Sequence, residues 1–226
     1  MDMKVLAAAA LAVVGGVAQA GVLTGFDGST NEGWAGLTAF ISNNSVSVSQ
    51  SVPAVFSAVD GNPGGRISVA DADSLDTMFA APAAFLGNQS SAYGTTLGYD
   101  IFTDSPTTYI GPNVVLRGNG ITLVYLPDTQ VAAEDEWRSV LVALSPGAGW
   151  HLDGTAGAEP TEAQFQLVLA DLTTLWISAE YTNGIVETSL LDNVRLGRVT
   201  TNVPEPATLL LVASAVAALS LRRRRA

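Results

Sequence analysis

Cysteine is missing from all 226 residues, which removes disulfides, thiolate metal ligands and thiol nucleophiles together. Stability must then come from burial, helped at most by a bound ion. Lysine occurs once, at Lys4, and of the ten basic residues only five, all arginine, lie between residues 21 and 203. Nineteen acidic residues share that stretch, so it carries a net charge of −14. Affinity for nucleic acid rests on neutralising phosphates with Lys and Arg, so nucleic acid is excluded as a partner. Such a surface keeps a protein soluble or concentrates divalent cations. Histidine, the usual general base near neutral pH, occurs once, at His151. No serine stands in a Gly-x-Ser-x-Gly elbow. Glycoside hydrolysis needs two carboxyl groups about 5 to 10 Å apart. The cluster Glu134-Asp135-Glu136 has the right residue type but no evident second acid, and it reads as a solvated loop. No catalytic residue is assigned.

What the chain does have begins at its ends. Lys4 precedes an apolar, alanine-rich stretch from Val5 to Val17, and Ala18-Gln19-Ala20 sets small residues at positions −3 and −1. Residues 1–20 thus read as a signal peptide cleaved between Ala20 and Gly21, for export through the Sec machinery. At the other end Pro204-Glu205-Pro206 is followed by the apolar run Ala207 to Leu221 and by Arg222, Arg223, Arg224 and Arg225. As a helix that run spans about 22 Å, short of the roughly 30 Å hydrocarbon core unless the arginines snorkel and the bilayer thins. The arginines stay cytoplasmic, which leaves the body outside.

Pro204-Glu205-Pro206, the short apolar helix and the terminal arginines, in that order over residues 201–226, resemble the PEP-CTERM sorting signal of Gram-negative bacteria that make extracellular polysaccharide. The resemblance implies processing by an exosortase, transient anchoring in the inner membrane, then release to the cell surface or beyond. The plain alternative is a tail anchor with a Pro-Glu-Pro spacer.

Between the ends, short apolar runs alternate with turns. Ser45-Val46-Ser47-Val48-Ser49 has the period of a half-buried strand, and residues 97–102, 114–116, 121–126, 140–144 and 175–181 are further runs of strand length. Asp60-Gly61-Asn62-Pro63-Gly64-Gly65, Gly111-Pro112-Asn113 and Gly118-Asn119-Gly120 are turn chemistry. Asn183-Gly184 between apolar runs predicts a hairpin. Thr161-Glu162-Ala163-Gln164 is a capping box, with Phe165, Val168, Leu169 and Leu172 behind it at helical spacing. Many short strands and one short helix predict a mainly β fold, an antiparallel sandwich.

Phe26-Asp27, Gly33-Trp34, Gly61-Asn62-Pro63-Gly64-Gly65-Arg66-Ile67, Phe79-Ala80-Ala81-Pro82, Leu97-Gly98-Tyr99, Glu136-Trp137, Trp150 and Leu191-Asp192-Asn193-Val194 follow one another as in a laminin B domain. The resemblance runs from about residue 25 to 197, inside a domain of residues 21–200. It implies a jelly-roll sandwich of the kind shared with carbohydrate-binding modules. The cysteine-rich repeats that flank the module in laminins are missing, so basement-membrane partners do not carry over.

Asp71-Ala72-Asp73-Ser74-Leu75-Asp76 opens like a calcium loop, but Asp76 and Pro82 stand where an EF-hand has Gly and Glu. The jelly-roll resemblance suggests instead that Asp27 and Asp192 share a structural calcium; alternatively both cap turns. No cofactor is required. Trp34, Trp137, Trp150 and Trp176 could each stack on a sugar or fill the core. Trp176, in an apolar run, is expected in the core. Trp150, among glycines, is expected on a loop and is the candidate glycan contact. The reading is a non-catalytic, exported surface or matrix protein of a biofilm-forming cell, associated with exopolysaccharide. The alternative is an extracellular hydrolase of that matrix, with Glu134 to Glu136 the first acids to test.

Overall fold

A computed structural model describes residues 21–198, so the signal peptide, the Pro-Glu-Pro motif, the apolar run and the arginine cluster lie outside the described residues. The strands are β1 (Val22–Thr24), β2 (Ala35–Ile41), β3 (Val46–Val52), β4 (Val55–Gly61), β5 (Gly64–Ala70), β6 (Asp76–Ala80), β7 (Thr96–Thr103), β8 (Val114–Gly118), β9 (Ile121–Tyr125), β10 (Arg138–Ala143) and β11 (Trp150–Leu152). The helix α1 (Glu162–Ala170) follows, then β12 (Leu172–Ser178) and β13 (Thr188–Leu196).

Every pair of these strands is antiparallel. One sheet runs β10-β7-β13-β5-β4 with β1 on the free part of β13, and the other runs β11-β9-β8-β12-β6-β2-β3. Both sheets turn one apolar face inward. Trp34, wedged edge-on between Phe26 and Phe85 at ring-centroid distances of 6.3 and 5.3 Å, fills one end of that core. Trp150 fills the other, against Tyr125 and Phe165 at 5.4 and 5.3 Å. The seven-stranded sheet has a second, smaller apolar cluster on its outward face, built from Leu37, Ala39, Met78, Val115, Val124 and Trp176.

The capping box forms: the Thr161 hydroxyl accepts from the Gln164 backbone, and the Gln164 side chain accepts from the Thr161 N–H. Phe165, Val168 and Leu169 are buried. Leu172 is not the last turn of the helix; the chain leaves α1 at Asp171, and Leu172 begins β12, where it is also buried.

Two turn expectations separate. Asn119 and Gly120, both with positive φ (50° and 75°), close the β8-β9 hairpin, as a two-residue primed turn requires. Asn183-Gly184 closes none. β12 and β13 belong to different sheets, so this loop carries the chain across the sandwich, and the apolar residues Ile185 and Val186 beside it are exposed. β3 is a strand, but it is exposed on both faces for most of its length, because it is the last strand of its sheet.

Candidate functional site

A concavity of about 750 Å³ beside α1 is walled by Tyr93, Ala163, Leu167 and Ala170 and has no carboxylate in its lining. Three further hollows adjoin one another through shared lining residues and together make a groove. Its first part, about 510 Å³, lies between the β2-β3 turn (Asn43, Asn44) and the segment Tyr109-Ile110-Gly111-Pro112. Ile41 and Tyr109 also line the second part, about 170 Å³, with Asp76 and Glu180. Ser74, Glu180 and Asn183 lead on to the third, about 360 Å³, bounded by Asp71, Asp73 and the apolar Ile185 and Val186.

The groove is carboxyl-rich, yet Glu180 and Asp76 at its middle resist ionisation. Glu180, 7% exposed, is pushed up to about 8, first by burial and then by the negative charge of Asp71, Glu187 and Asp76. Its Oε2 is buried without a hydrogen-bond partner. Burial likewise raises Asp76 to about 6, against the opposing hydrogen bond donated by the Tyr109 hydroxyl (3.0 Å). Near neutral pH burial thus keeps Glu180 uncharged, and the Tyr109 hydroxyl and the Asn43, Asn44 and Asn183 amides are among the polar groups that line the groove. These are donors and acceptors of the kind that match sugar hydroxyls, and Tyr109 adds an aromatic face.

A second acidic cluster sits at the β4-β5 turn. Asp192, fully buried, accepts from the backbone N–H of Asn62 (2.6 Å) and of Asn193 (2.7 Å). Burial raises it to about 6, with the charges of Asp100 and Asp27 adding to the shift. Asp27, itself exposed, lies against Gly64, whose positive φ (97°) and lack of a side chain leave room for its carboxylate. Sequence reasoning paired Asp27 with Asp192 but missed Asp100, whose place in β7 puts it opposite Asp192. The Asn193 Nδ2, with two hydrogens to donate, lies within reach of three oxygens: Asn62 O (2.5 Å), Asp100 Oδ2 (2.8 Å) and Asp192 Oδ2 (3.3 Å). Oxygens converging on one point are the donor chemistry a calcium ion takes. Turning the Asn193 amide end for end would add its own oxygen to the set. Among the described residues, no group of three or more acidic or histidine side chains is arranged to hold a metal by itself. A calcium here would therefore also draw on the Asn62 carbonyl and the Asn193 amide.

The other sequence candidates fall elsewhere. Trp150 is not on a loop: it opens β11, is 1% exposed, and its indole N–H donates to the Ala143 carbonyl (2.8 Å). Gly149, at φ 87°, lets the preceding chain turn so that the ring points into the core, which removes Trp150 as a sugar platform. Trp176 is buried as expected, in the smaller apolar cluster beneath the Arg117 guanidinium, 5.3 Å from the ring. Trp137, half-buried, stacks on Phe102 (5.7 Å). His151 Nδ1 is held at the Gly157 carbonyl (3.0 Å). Glu134, Asp135 and Glu136 are exposed, and Glu136 pairs with Arg138.

The laminin B (domain IV) family model matches residues 78–216, which leaves the stretch from Phe26 to Ile67 outside the matched segment. The basement membrane proteoglycan of Caenorhabditis elegans is 31% identical over 111 residues, covering 49% of this chain and 3% of that protein. The chain thus spans a small fraction of that relative's length. Among solved structures, the L4b domain of human laminin alpha-2 aligns with a TM-score of 0.47 at 17% identity, over 57% of this chain and 78% of that one. The family 11 carbohydrate-binding module of a Clostridium thermocellum cellulase aligns with a TM-score of 0.47 at 14% identity, over 79% of this chain and 94% of that one.

Proposed function

This chain belongs to the laminin B (domain IV) family, and we propose that it is an exported, non-catalytic surface or matrix protein whose groove binds a neutral exopolysaccharide. The observation that carries this reading is the groove itself, open and extended, lined by Asn43, Asn44, Tyr109, Asp76, Glu180 and Asn183. An extended groove suits a polymer, and its mixed donors and acceptors suit uncharged hydroxyls. The body's net charge of −14 disfavours polyuronates.

The ends supply the route. Residues 1–20 serve as the signal peptide, and Pro204-Glu205-Pro206 with Arg222 to Arg225 serve as a sorting tail for an exosortase of a Gram-negative, polysaccharide-making cell. Among the described residues no helix is long and apolar enough to cross a membrane; in this reading the apolar run 207–221 provides transient anchoring. A calcium held by Asp27, Asp100, Asp192, Asn62 and Asn193 would brace the β4-β5 turn against β7 and β13.

One observation favours the hydrolase alternative: Glu180 and Asp76 line the same hollow with raised pKa values. The unpartnered Glu180 Oε2 is buried, however, and a general acid must reach the glycosidic oxygen. Binding is therefore the better reading. A glycan-binding screen of residues 21–203, with product analysis on every hit, tests it. Retention of a neutral polymer without shortening supports binding, whereas release of shortened sugars would move Glu180 and Asp76 into catalytic roles.

A further inference from the structure

β3 ends the seven-stranded sheet and β4 ends the other, and only Pro53-Ala54 separates them, so two open edges border one flank. An open edge presents unpaired backbone N–H and C=O groups, which proteins ordinarily guard with lysine, proline or inward-pointing charge. Val46-Ser47-Val48-Ser49-Gln50-Ser51-Val52 has none of these. The strands themselves are bare of charge as well: no charged residue falls between Glu32 and Asp60, in a body of net charge −14, and the charges that reach β3 are Asp73, which accepts from Gln50, and Arg117, which donates to the Val46 carbonyl. Phe40, Val48, Val55 and Val59 on this stretch are each at least half exposed (51–61%). Two copies meeting elsewhere on their surfaces bring acids together, whereas here the meeting strands carry none.

The pattern of faces fixes how they would meet. Val46, Val48 and Ser51 share the outward face of the sheet with Ile41, Ala39 and Leu37, while Ser47, Gln50 and Val52 share the inward face with Phe40, Thr38 and Gly36. The change of face comes at Ser49, a bulge that no residue of β2 opposes. Residues directly opposite in an antiparallel pair lie on the same face. A two-fold axis between Val48 and Ser49 satisfies this along the strand, setting Val46 against Ser51 outside and Ser47 against Gln50 inside. It also places both bulges at the centre of the joint, leaving a regular arm on each side. We propose that two copies of this chain join through β3 in this register, making one continuous antiparallel sheet across a two-fold interface.

The lack of cysteine makes the test direct. Opposed residues in such a pair have Cα atoms about 4.5 to 5.5 Å apart, within the range a disulfide spans. The full chain in neutral detergent is prepared as Ser47→Cys and, separately, as Gln50→Cys, both exposed positions. Under mild oxidation the mixture should give a cross-linked heterodimer in several-fold excess over the dimer from either variant alone. Sedimentation of the cysteine-free wild type should show a dimer that Val48→Lys reverts to monomer, while Leu141→Lys on the β10 edge does not. Cross-linking no greater in the mixture than in the separate variants would overturn the proposal. Dimers untouched by Val48→Lys would overturn it too, since they would mark association through another surface such as the apolar tail.

Discussion

Glu180 and Glu187 lie within one loop and are buried to a similar degree, yet only Glu187 has both oxygens bonded. Glu187 accepts from the Tyr181 and Thr182 backbone N–H groups through Oε1 and from the Thr103 hydroxyl (2.7 Å) through Oε2. Glu180 Oε2 accepts from nothing. A buried carboxyl so placed is more stable protonated, and burial, with the negative charge of Asp71, Glu187 and Asp76, pushes Glu180 up to about 8.

From this a pH dependence follows. A carboxyl whose folded pKa lies above its unfolded one adds stability that is complete below about pH 4.5 and is lost as pH rises through about 8. Asp76, raised to about 6, acts in the same direction. Melting should fall by a few degrees between pH 5 and pH 8.5, and Glu180→Gln should flatten part of that fall, worth about 1–2 kcal/mol after allowance for solvent screening. Thermal denaturation across this range checks it. A wild type whose melting rises with pH would contradict the assignment.

Calcium should raise the melting temperature, and chelator should lower it. A ligand bound only by the native state, at a hundredfold excess over its Kd, stabilises by about 2.7 kcal/mol. Asp192→Asn, which keeps the side-chain shape, should lose the response. An identical melt with and without chelator would remove the metal.

Trp150→Ala should destabilise the fold by about 3–5 kcal/mol through the cavity it leaves beside Tyr125 and Phe165. Trp137→Ala should cost far less, since its ring is half-buried over Phe102. Denaturant titration separates the two, and equal losses would contradict the burial of Trp150.

Thr161→Ala removes the hydroxyl that accepts from the Gln164 N–H and should cost about 1 kcal/mol. Chemical denaturation of the pair of proteins measures it, and a loss below a few tenths of a kcal/mol would mean the capping box contributes nothing.

What the sequence shows well is local. The capping box, the Asn119-Gly120 turn and most strand cores follow from chemistry within a few residues. What it hides is which sheet each strand joins. Asn183-Gly184 has the chemistry of a hairpin, but the next strand pairs with β5 and β7 in the other sheet, a long-range choice that local pattern does not encode. The same limit misplaced Trp150, because glycines mark a turn without saying where the following ring points. The pairing of Asp27 with Asp192 came from family resemblance; Asp100 joins them only through the register of β7 against β13. Glu180 stood inside an apolar run, and nothing local marked it as part of a groove assembled from segments far apart in the chain.

The most direct test of the binding groove is titration of wild type and Tyr109→Ala with a neutral hexose polymer from the host's exopolysaccharide and, in parallel, with a polyuronate. Wild type should bind the neutral polymer, Tyr109→Ala about tenfold more weakly with its melting temperature little changed, a difference of about 1.4 kcal/mol. The polyuronate should bind neither. Equal affinity of wild type and Tyr109→Ala for the neutral polymer, or preference for the polyuronate, would contradict a neutral-sugar groove.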